Sequence, residues 1–207
     1  NTSIELYGKI IPYVQYLVIY HLKLFTFQRN SKKLLKVLNN HERKTFINTV
    51  RHLLNIFEEK YIIEQDTKNI HKEFMLYIRN GEKCLLEGTI NDIDIGSAIK
   101  ITKKRISKYK LILEGYFSDD KYLLKSSDKI FVQTFFNKRI YAKKKEIDKK
   151  ISIWGIVVRD YRNSGFVIEL PIWYYIFRFG LESKNGSILL MEFNLLKNLL
   201  KKVKAKL

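Results

Sequence analysis

A cluster of basic residues lies between two runs that alternate apolar and polar residues as β-strands do. The runs cover residues 99–102 and 109–113, and Lys103, Lys104, Arg105 and Lys108 lie between them. Ammonium and guanidinium groups bind phosphate oxygens. The spacing therefore predicts a hairpin whose positively charged tip lies against a polyanion.

Further basic residues follow the strand candidates at 129–136, 151–160 and 165–178. Taken singly, each is an ordinary solvated charge, but their concentration at strand ends and loops favours RNA as the polyanion. Such binding should weaken strongly with salt, because each phosphate contact releases counterions. The predicted RNA-binding residues are Lys100, Lys103, Lys104, Arg105, Lys108, Lys110, Lys138, Arg139, Lys143, Lys144, Lys145, Lys149, Lys150, Arg159, Arg162 and Arg178.

The overall charge supports the same interpretation. The chain has 39 Lys and Arg against 21 Asp and Glu, a net charge of +18 and a pI near 9.8. Lysine predominates over arginine, which suits contacts with a phosphate backbone better than readout of bases. Lys, Ile and Asn have AT-rich codons, so part of the lysine excess reflects coding. We expect nucleic acid as the partner, with an anionic membrane second.

Residues that often carry out catalysis are present without the spacing that catalysis requires. There is no HExxH motif, no glycine-rich phosphate loop and no GxSxG segment. The acids at 92, 94, 119 and 120 lack supporting ligands for a divalent cation, and the single Cys84 excludes an intramolecular disulfide. We predict no enzymatic activity, no catalytic residue, no metal and no cofactor. The histidines, interpreted as solvated or packed helix residues, are His21, His41, His52 and His71.

Three aromatic residues in the strand region admit two interpretations. Tyr109, Tyr116 and Trp173 could stack on RNA bases. Aromatic side chains in strands more often pack in a core. We therefore interpret them as core residues.

The hydrophobic period divides the chain. Residues 1 to about 80 have helical spacing, with Pro12 in a first turn, Ser31 and Asp66 as N-caps, and the longest helix from about His41 to Glu64. From about residue 85 the period becomes that of strands, and several short strands predict a small barrel. Residues 187–207 return to helical spacing and end in a basic cluster.

No segment is long and apolar enough to span a membrane. His21 and Lys23 interrupt the best candidate, so we expect a soluble or membrane-peripheral chain. The first residue is Asn1 and not Met. We expect the chain to be processed or to be part of something longer.

The order and spacing of five segments resemble bacterial-type large-subunit ribosomal protein nineteen. The segments are DIDIGSAIKI at 92–101, ILEG at 112–115, FVQTF at 131–135, KISIW at 150–154 and WYYIFR at 173–178. The chain departs from that family where Asp94, Ala142 and Glu146 stand at or near places of family prolines. The resemblance covers about residues 92–178.

The resemblance implies a structural protein of a large ribosomal subunit. It implies an SH3-like β-barrel at 85–180 that binds rRNA. Together with the helical spacing outside the resemblance, this predicts an α+β fold with a helical extension at 1–84 and a basic, helical C-terminal tail at 181–207. Its partners would be large-subunit rRNA, neighbouring proteins including large-subunit protein fourteen, and the small subunit across a bridge, with no small-molecule substrate. The added helices suit a mitochondrial ribosome, with a plastid-type organelle as the alternative.

Three other functions remain open. A peripheral subunit of an organellar membrane complex would gather its charge beside an amphipathic helix. An RNA-processing enzyme would need converging carboxylates or histidines. A non-ribosomal RNA-binding adaptor would share only the basic surface.

Overall fold

The computed structural model describes residues 2–196, and the chain divides into two compact units. One unit contains residues 1–86 and 150–160, and the other contains residues 87–149 and 161–207. The helices are α1 Thr2–Tyr7, α2 Pro12–Thr26, α3 Gln28–Val37, α4 Asn40–Ile56, α5 Lys60–Ile63 and α6 Asn69–Asn80. The strands are β1 Ile99–Ser107, β2 Lys110–Phe117, β3 Lys129–Thr134, β4 Arg139–Tyr141, β5 Lys143–Lys145, β6 Lys150–Ile153, β7 Ile156–Asp160, β8 Gly165–Pro171, β9 Ile176–Ser183 and β10 Gly186–Asn194.

Local signals start and stop the helices of the first unit. Pro12 occupies the first turn of α2, where its missing N–H costs nothing. Asn39 caps α4 and forms a reciprocal capping box with Glu42. Gly81 ends α6 at φ 77°, a left-handed conformation that glycine adopts without steric cost. Across residues 2–196, none of the helices has the length and apolarity needed to cross a membrane.

The β6–β7 hairpin belongs to the helical unit, although it is distant in sequence. Its turn places Trp154 in the helical core, where the indole stacks on Phe46 at 4.8 Å between ring centroids. The indole N–H donates a hydrogen bond of 3.0 Å to the carbonyl of Phe25. Aromatic stacking and a satisfied polar group together anchor the hairpin to the helices.

A buried ion pair ties the same hairpin to α6. Arg159 of β7 donates to both carboxylate oxygens of Glu73, at 2.8 and 2.7 Å, and both side chains are 1% exposed. Glu73 also accepts a hydrogen bond from the backbone N–H of Leu86. The bidentate geometry compensates for the desolvation of both charges.

The second unit is a sandwich of two four-stranded antiparallel sheets. The strand orders are β1-β2-β8-β5 and β10-β9-β3-β4. Alternate residues of each sheet face a shared core rich in phenylalanine, in which Phe177 stacks on Phe193 at 5.0 Å. Most of the remaining residues of the longer strands face outward, and the three lysines of the short edge strand β5 are all exposed.

The fold expectation was wrong in three respects. The strands of the second unit form two open sheets and not a closed SH3-like barrel within residues 2–196. The helices are not an extension, because they have their own core and include a hairpin from residues 150–160. Residues 186–194 are a strand and not a helix, because they pair along β9. The expected helical tail beyond residue 196 lies outside the described residues.

Helix boundaries were predicted less well than helix positions. Ser31 lies inside α3 and does not cap it. The long helix ends at Ile56, and Lys68, not Asp66, precedes α6. The predicted domain divisions after residues 84 and 180 stay predictions. The structure has a boundary between compact units after residue 86.

Phe131 lies on the outer face of the second sheet, together with residues 129 and 133 of the same strand. Its side chain is fully buried, whereas residues 129 and 133 are not. Its ring lies over Gly180, where any Cβ atom would overlap it. Arg139 covers the ring at 4.5 Å from its centroid, and Tyr141 lies at 6.1 Å. Glycine at position 180 is therefore a packing requirement.

Gly180→Ala should destabilise the sandwich by about 2 kcal/mol, because the new methyl group displaces the Phe131 ring. Urea denaturation followed by circular dichroism measures the effect. In a Phe131→Ala background the same substitution should cost much less, since the overlap is gone. Equal costs in the two backgrounds would contradict this interpretation.

Arg159→Met should destabilise the helical unit by about 3–5 kcal/mol, because it leaves the Glu73 carboxylate buried and unpaired. Denaturation followed by tryptophan fluorescence reports on it through the buried Trp154. Arg29→Met, at an exposed arginine of α3 in the same unit, is the matched control and should change stability by less than about 0.5 kcal/mol. Adding Glu73→Gln to Arg159→Met should restore part of the loss.

Candidate anion-binding face

Six basic residues share the outer face of the first sheet of the sandwich. In β1, Lys100 pairs with Tyr116, Lys103 with Glu114 and Arg105 with Ile112, so their partners alternate along one side of β2. The pairing shifts between Ile101 and Lys103, which keeps Lys103 on the same side as Lys100. This surface, the basic face, consists of Lys100, Lys103, Arg105, Lys110, Lys143 and Lys145.

Glycine at position 115 makes the irregularity in β1 possible. The carbonyl of Lys100 lies directly against Gly115, and a Cβ atom there would overlap this carbonyl and crowd the Phe166 ring. Any larger residue would push β1 away from β2. The position of Lys100 and Lys103 on the basic face therefore depends on Gly115.

A carboxylate, Glu114, lies at the centre of the basic face. Arg105 donates to one of its oxygens at 2.6 Å and Lys145 to the other at 2.5 Å. The hydrogen bond from Lys145, with the charges of Lys145, Arg105 and Lys103, holds the pKa of the Glu114 carboxyl below its ordinary value, while partial burial opposes this. Glu114 thus fixes two cations from opposite edges of the sheet.

Other cations of the face are less engaged. Lys110 pairs with Glu169 at 3.1 Å, and both side chains are largely exposed. Lys100, Lys103 and Lys143 are exposed and form no salt bridge with any residue in the range 2–196. Neighbouring strands are about 4.8 Å apart, and successive residues on one face are about 6.8 Å apart. The face therefore presents an array of exposed ammonium groups that can contact several anionic groups together.

The other predicted site residues do not join this array. Arg159 is buried with Glu73. Lys104 extends over the Phe193 ring and Lys144 donates to the carbonyl of Ser126. The remainder lie in turns, on the second sheet or around the β6–β7 hairpin: Lys108, Lys138, Arg139, Arg178, Lys149, Lys150 and Arg162.

Two of the acids that the sequence offers as metal ligands, Asp92 and Asp119, instead form hydrogen bonds within loops. Asp119 accepts hydrogen bonds from the backbone N–H groups of Asp94, Lys121 and Tyr122. Asp92 accepts from Thr89, which lowers the pKa of its carboxyl. Within residues 2–196, no group of three or more His, Cys, Asp and Glu side chains is placed to hold a metal ion.

Sequence reasoning missed two features of this region. In the sequence analysis, Glu114 appears only as part of the ILEG segment of the family resemblance. The signal for a central ion pair was an acid in β2 facing the basic residues of β1. Tyr109 and Trp173 were interpreted as core residues, but both are exposed. Their position in the connections that follow strands, between two lysines in the case of Tyr109, is the signal that points to a surface.

Comparison with known proteins gives one relative of substantial similarity. Over 201 residues the chain is 33% identical to the minor teichoic acid biosynthesis protein GgaA of Bacillus subtilis (strain 168). The match covers 97% of this chain and 45% of GgaA, so the chain spans less than half the length of that relative. No family model matches the chain.

A solved structure, the crystal structure of S. aureus TarS, is more distantly similar. It shares 12% identity with this chain and has a TM-score of 0.39. The similarity covers 88% of this chain and 36% of TarS. A likeness of this size carries no argument about function.

The similarity to GgaA overturns the ribosomal resemblance. It extends over almost the whole chain, whereas the ribosomal segments covered only about residues 92–178. The structural ribosomal function, the RNA-binding role and the expected partners, namely rRNA, large-subunit protein fourteen and the small subunit, were therefore wrong. So was the mitochondrial or plastid localisation, because the relative is bacterial. The alternative function as a peripheral subunit of an organellar membrane complex is wrong for the same reason.

The expectations of no enzymatic activity and no small-molecule substrate are contradicted as well. The relative is a protein of a biosynthetic process, and biosynthesis consumes small precursors. The absence of a familiar catalytic motif was therefore insufficient ground for excluding an enzyme.

Glu114→Gln should lower stability near neutral pH, because it leaves Arg105 and Lys145 next to each other without a counter-charge. A carboxyl whose pKa is lowered by folding stabilises the fold above its unfolded pKa and loses this effect as pH falls. The variant should therefore lose less stability than the wild type between about pH 6 and pH 3. Urea denaturation over that range measures both curves.

Glu169→Gln is the matched control, since Glu169 is much more exposed than Glu114 and pairs with Lys110. Its stability curve should follow the wild-type curve closely. A Glu114→Gln curve parallel to the wild type would contradict the role of Glu114.

Proposed function

We propose that the protein is an enzyme of teichoic acid biosynthesis that transfers glycosyl units, and that the basic face binds the anionic polymer on which it acts. The similarity to GgaA, a protein named for minor teichoic acid biosynthesis, supports a place in that biosynthesis. The arrangement of six cations on one face of a sheet supports the binding of an anionic polymer. The observation that carries the proposal is this array.

The chemistry of teichoic acids matches such a face. Teichoic acids are polymers linked through phosphodiesters, so they carry negative charge at regular intervals along a flexible chain. A flat sheet with cations on neighbouring strands lets successive phosphates be bound without a deep pocket. Lysine suits this task, because a flexible ammonium group contacts phosphate without demanding one geometry.

The central ion pair gives the face order without neutralising it. Glu114 pairs with Arg105 and Lys145, while Lys100, Lys103 and Lys143 are exposed and form no salt bridge with any residue between 2 and 196. A polymer crossing the strands would therefore contact these three lysines most readily. Attraction to exposed charges is long-ranged and screened by salt, so affinity should fall as ionic strength rises.

Lys103→Glu with Lys143→Glu should weaken binding of purified wall teichoic acid by about tenfold, because two exposed contacts become repulsive. Binding is measured by microscale thermophoresis of the labelled protein at several salt concentrations. Circular dichroism checks that the variant remains folded.

The matched control is Lys32→Glu with Lys33→Glu, which changes net charge equally on exposed positions of α3. It should alter affinity by less than about twofold at moderate salt. Equal losses in both variants would show attraction to net charge alone and would overturn the basic face as the site. Equal affinity for polyglutamate would overturn the preference for phosphate.

A further inference from the structure

One end of the sandwich collects aromatic residues from three separate connections. The β1–β2 turn contains Tyr109, whose carbonyl accepts a hydrogen bond of 2.9 Å from the backbone N–H of Ile172 in the β8–β9 connection. The first residues of β9 pair with the last residues of β3, so the β3–β4 turn lies at this end too. We call Tyr109, Phe135, Phe136, Trp173 and Tyr175 the aromatic end.

These side chains are exposed to an unusual degree. Their exposed fractions are 80% for Tyr109, 85% for Phe135, 79% for Phe136, 64% for Trp173 and 48% for Tyr175. Phe135 and Phe136 contact each other edge to face at 5.7 Å, at the tip of their hairpin. A concentration of large apolar groups in water marks a surface that meets an apolar partner.

The charge of the same end is positive. Lys108 and Lys138 lie in the two turns that carry Tyr109 and the phenylalanines. The three connections, residues 108–109, 135–138 and 172–175, contain no Asp or Glu. An apolar partner at this end must therefore also carry or tolerate negative charge.

We propose that the aromatic end docks onto an anionic lipid bilayer. Tyrosine and tryptophan favour the boundary between headgroups and hydrocarbon, since their rings are apolar with one polar atom. The paired phenylalanines at a hairpin tip enter the acyl region, and the turn lysines contact anionic headgroups.

Exposed aliphatic side chains at the same end distinguish a bilayer from a sugar chain. Ile106, Ile176 and Leu196 are exposed beside the aromatic end. Branched aliphatic groups offer no flat ring for stacking on a sugar, but they gain free energy on transfer to hydrocarbon. A bilayer satisfies both the aromatic and the aliphatic residues.

The β1–β2 turn presents Tyr109 at a conformational cost. Lys108 and Tyr109 have φ of 44° and 62°, values that favour glycine or asparagine over tyrosine. Tyr109→Gly removes this strain together with the aromatic ring. It therefore separates the stability of the fold from docking.

The test is flotation of the whole chain with vesicles of phosphatidylcholine alone or with added phosphatidylglycerol. We expect binding to the anionic vesicles and a blue shift of tryptophan emission. The shift reports Trp173, because the other tryptophan, Trp154, is 7% exposed. Trp173→Phe should abolish the shift. No binding, or binding with unchanged emission, would overturn the proposal.

Phe135→Ala with Phe136→Ala should weaken vesicle binding by about tenfold or more. Tyr13→Ala, an equally exposed aromatic residue of α2, should change it by less than about twofold. Tyr109→Gly should weaken vesicle binding while thermal stability stays the same or rises. Unchanged vesicle binding by the double phenylalanine variant would contradict the proposal.

Two further arms separate this surface from the basic face. Polyphosphate carries charge without hydrocarbon, so it should cause no blue shift of tryptophan emission. The variant with Lys103→Glu and Lys143→Glu should still show the blue shift with anionic vesicles. A shift with polyphosphate would overturn insertion into a bilayer. If the protein associates with itself and the double phenylalanine variant abolishes this association, the aromatic end binds a second copy of the chain. That result would also overturn docking onto a bilayer. Failure of either surface thus leaves the other testable.

Discussion

The alternation of side chains along each strand is the constraint on which the second unit depends. Packing two sheets around Phe166, Phe177, Phe179 and Phe193 commits every second residue to the core. The residues between them face outward and meet water whatever their chemistry, except where an outer cluster covers them, as at Phe131. A lysine-rich sequence under this constraint becomes a sheet with one charged side, and the irregularity in β1 keeps that side continuous from Lys100 to Lys103. The basic face is thus a consequence of core packing as well as of composition.

The two units handle charge in different ways. In the helical unit, Arg159 and Glu73 are removed from water together, so their geometry holds the hairpin in place. In the sandwich, Glu114 holds Arg105 and Lys145 near the surface and leaves neighbouring lysines exposed. The first arrangement serves stability and the second organises a surface. Burial, and not residue type, distinguishes an arginine that binds internally from one that can meet a ligand.

Local features were predictable from the sequence, and distant ones were not. Pro12 in the first turn of α2 and a hairpin within residues 99–113 follow local rules. The predicted basic tip was wrong in extent, because β1 continues through Ser107 and only Lys108 and Tyr109 form the turn. In the run at 186–194, Leu190 and Phe193 are at helical spacing, yet pairing with β9 makes it a strand. The placement of Trp154 among helices depends on contacts with Phe25 and Phe46, which no local pattern encodes. The ribosomal resemblance failed for a related reason, because alternating strands rich in lysine recur in unrelated folds.

The basic face and the aromatic end share one structural element. The β1–β2 hairpin carries Lys103 and Arg105 along its length and Tyr109 at its turn. Because β1 is an edge strand of its sheet, the hairpin can contact two partners without rearrangement. If the turn lies at a bilayer surface, the lysines of β1 extend away from that surface. A polymer growing near a membrane would then be held beside it, and the electrostatic attraction of the face would act on a chain already confined near the lipid.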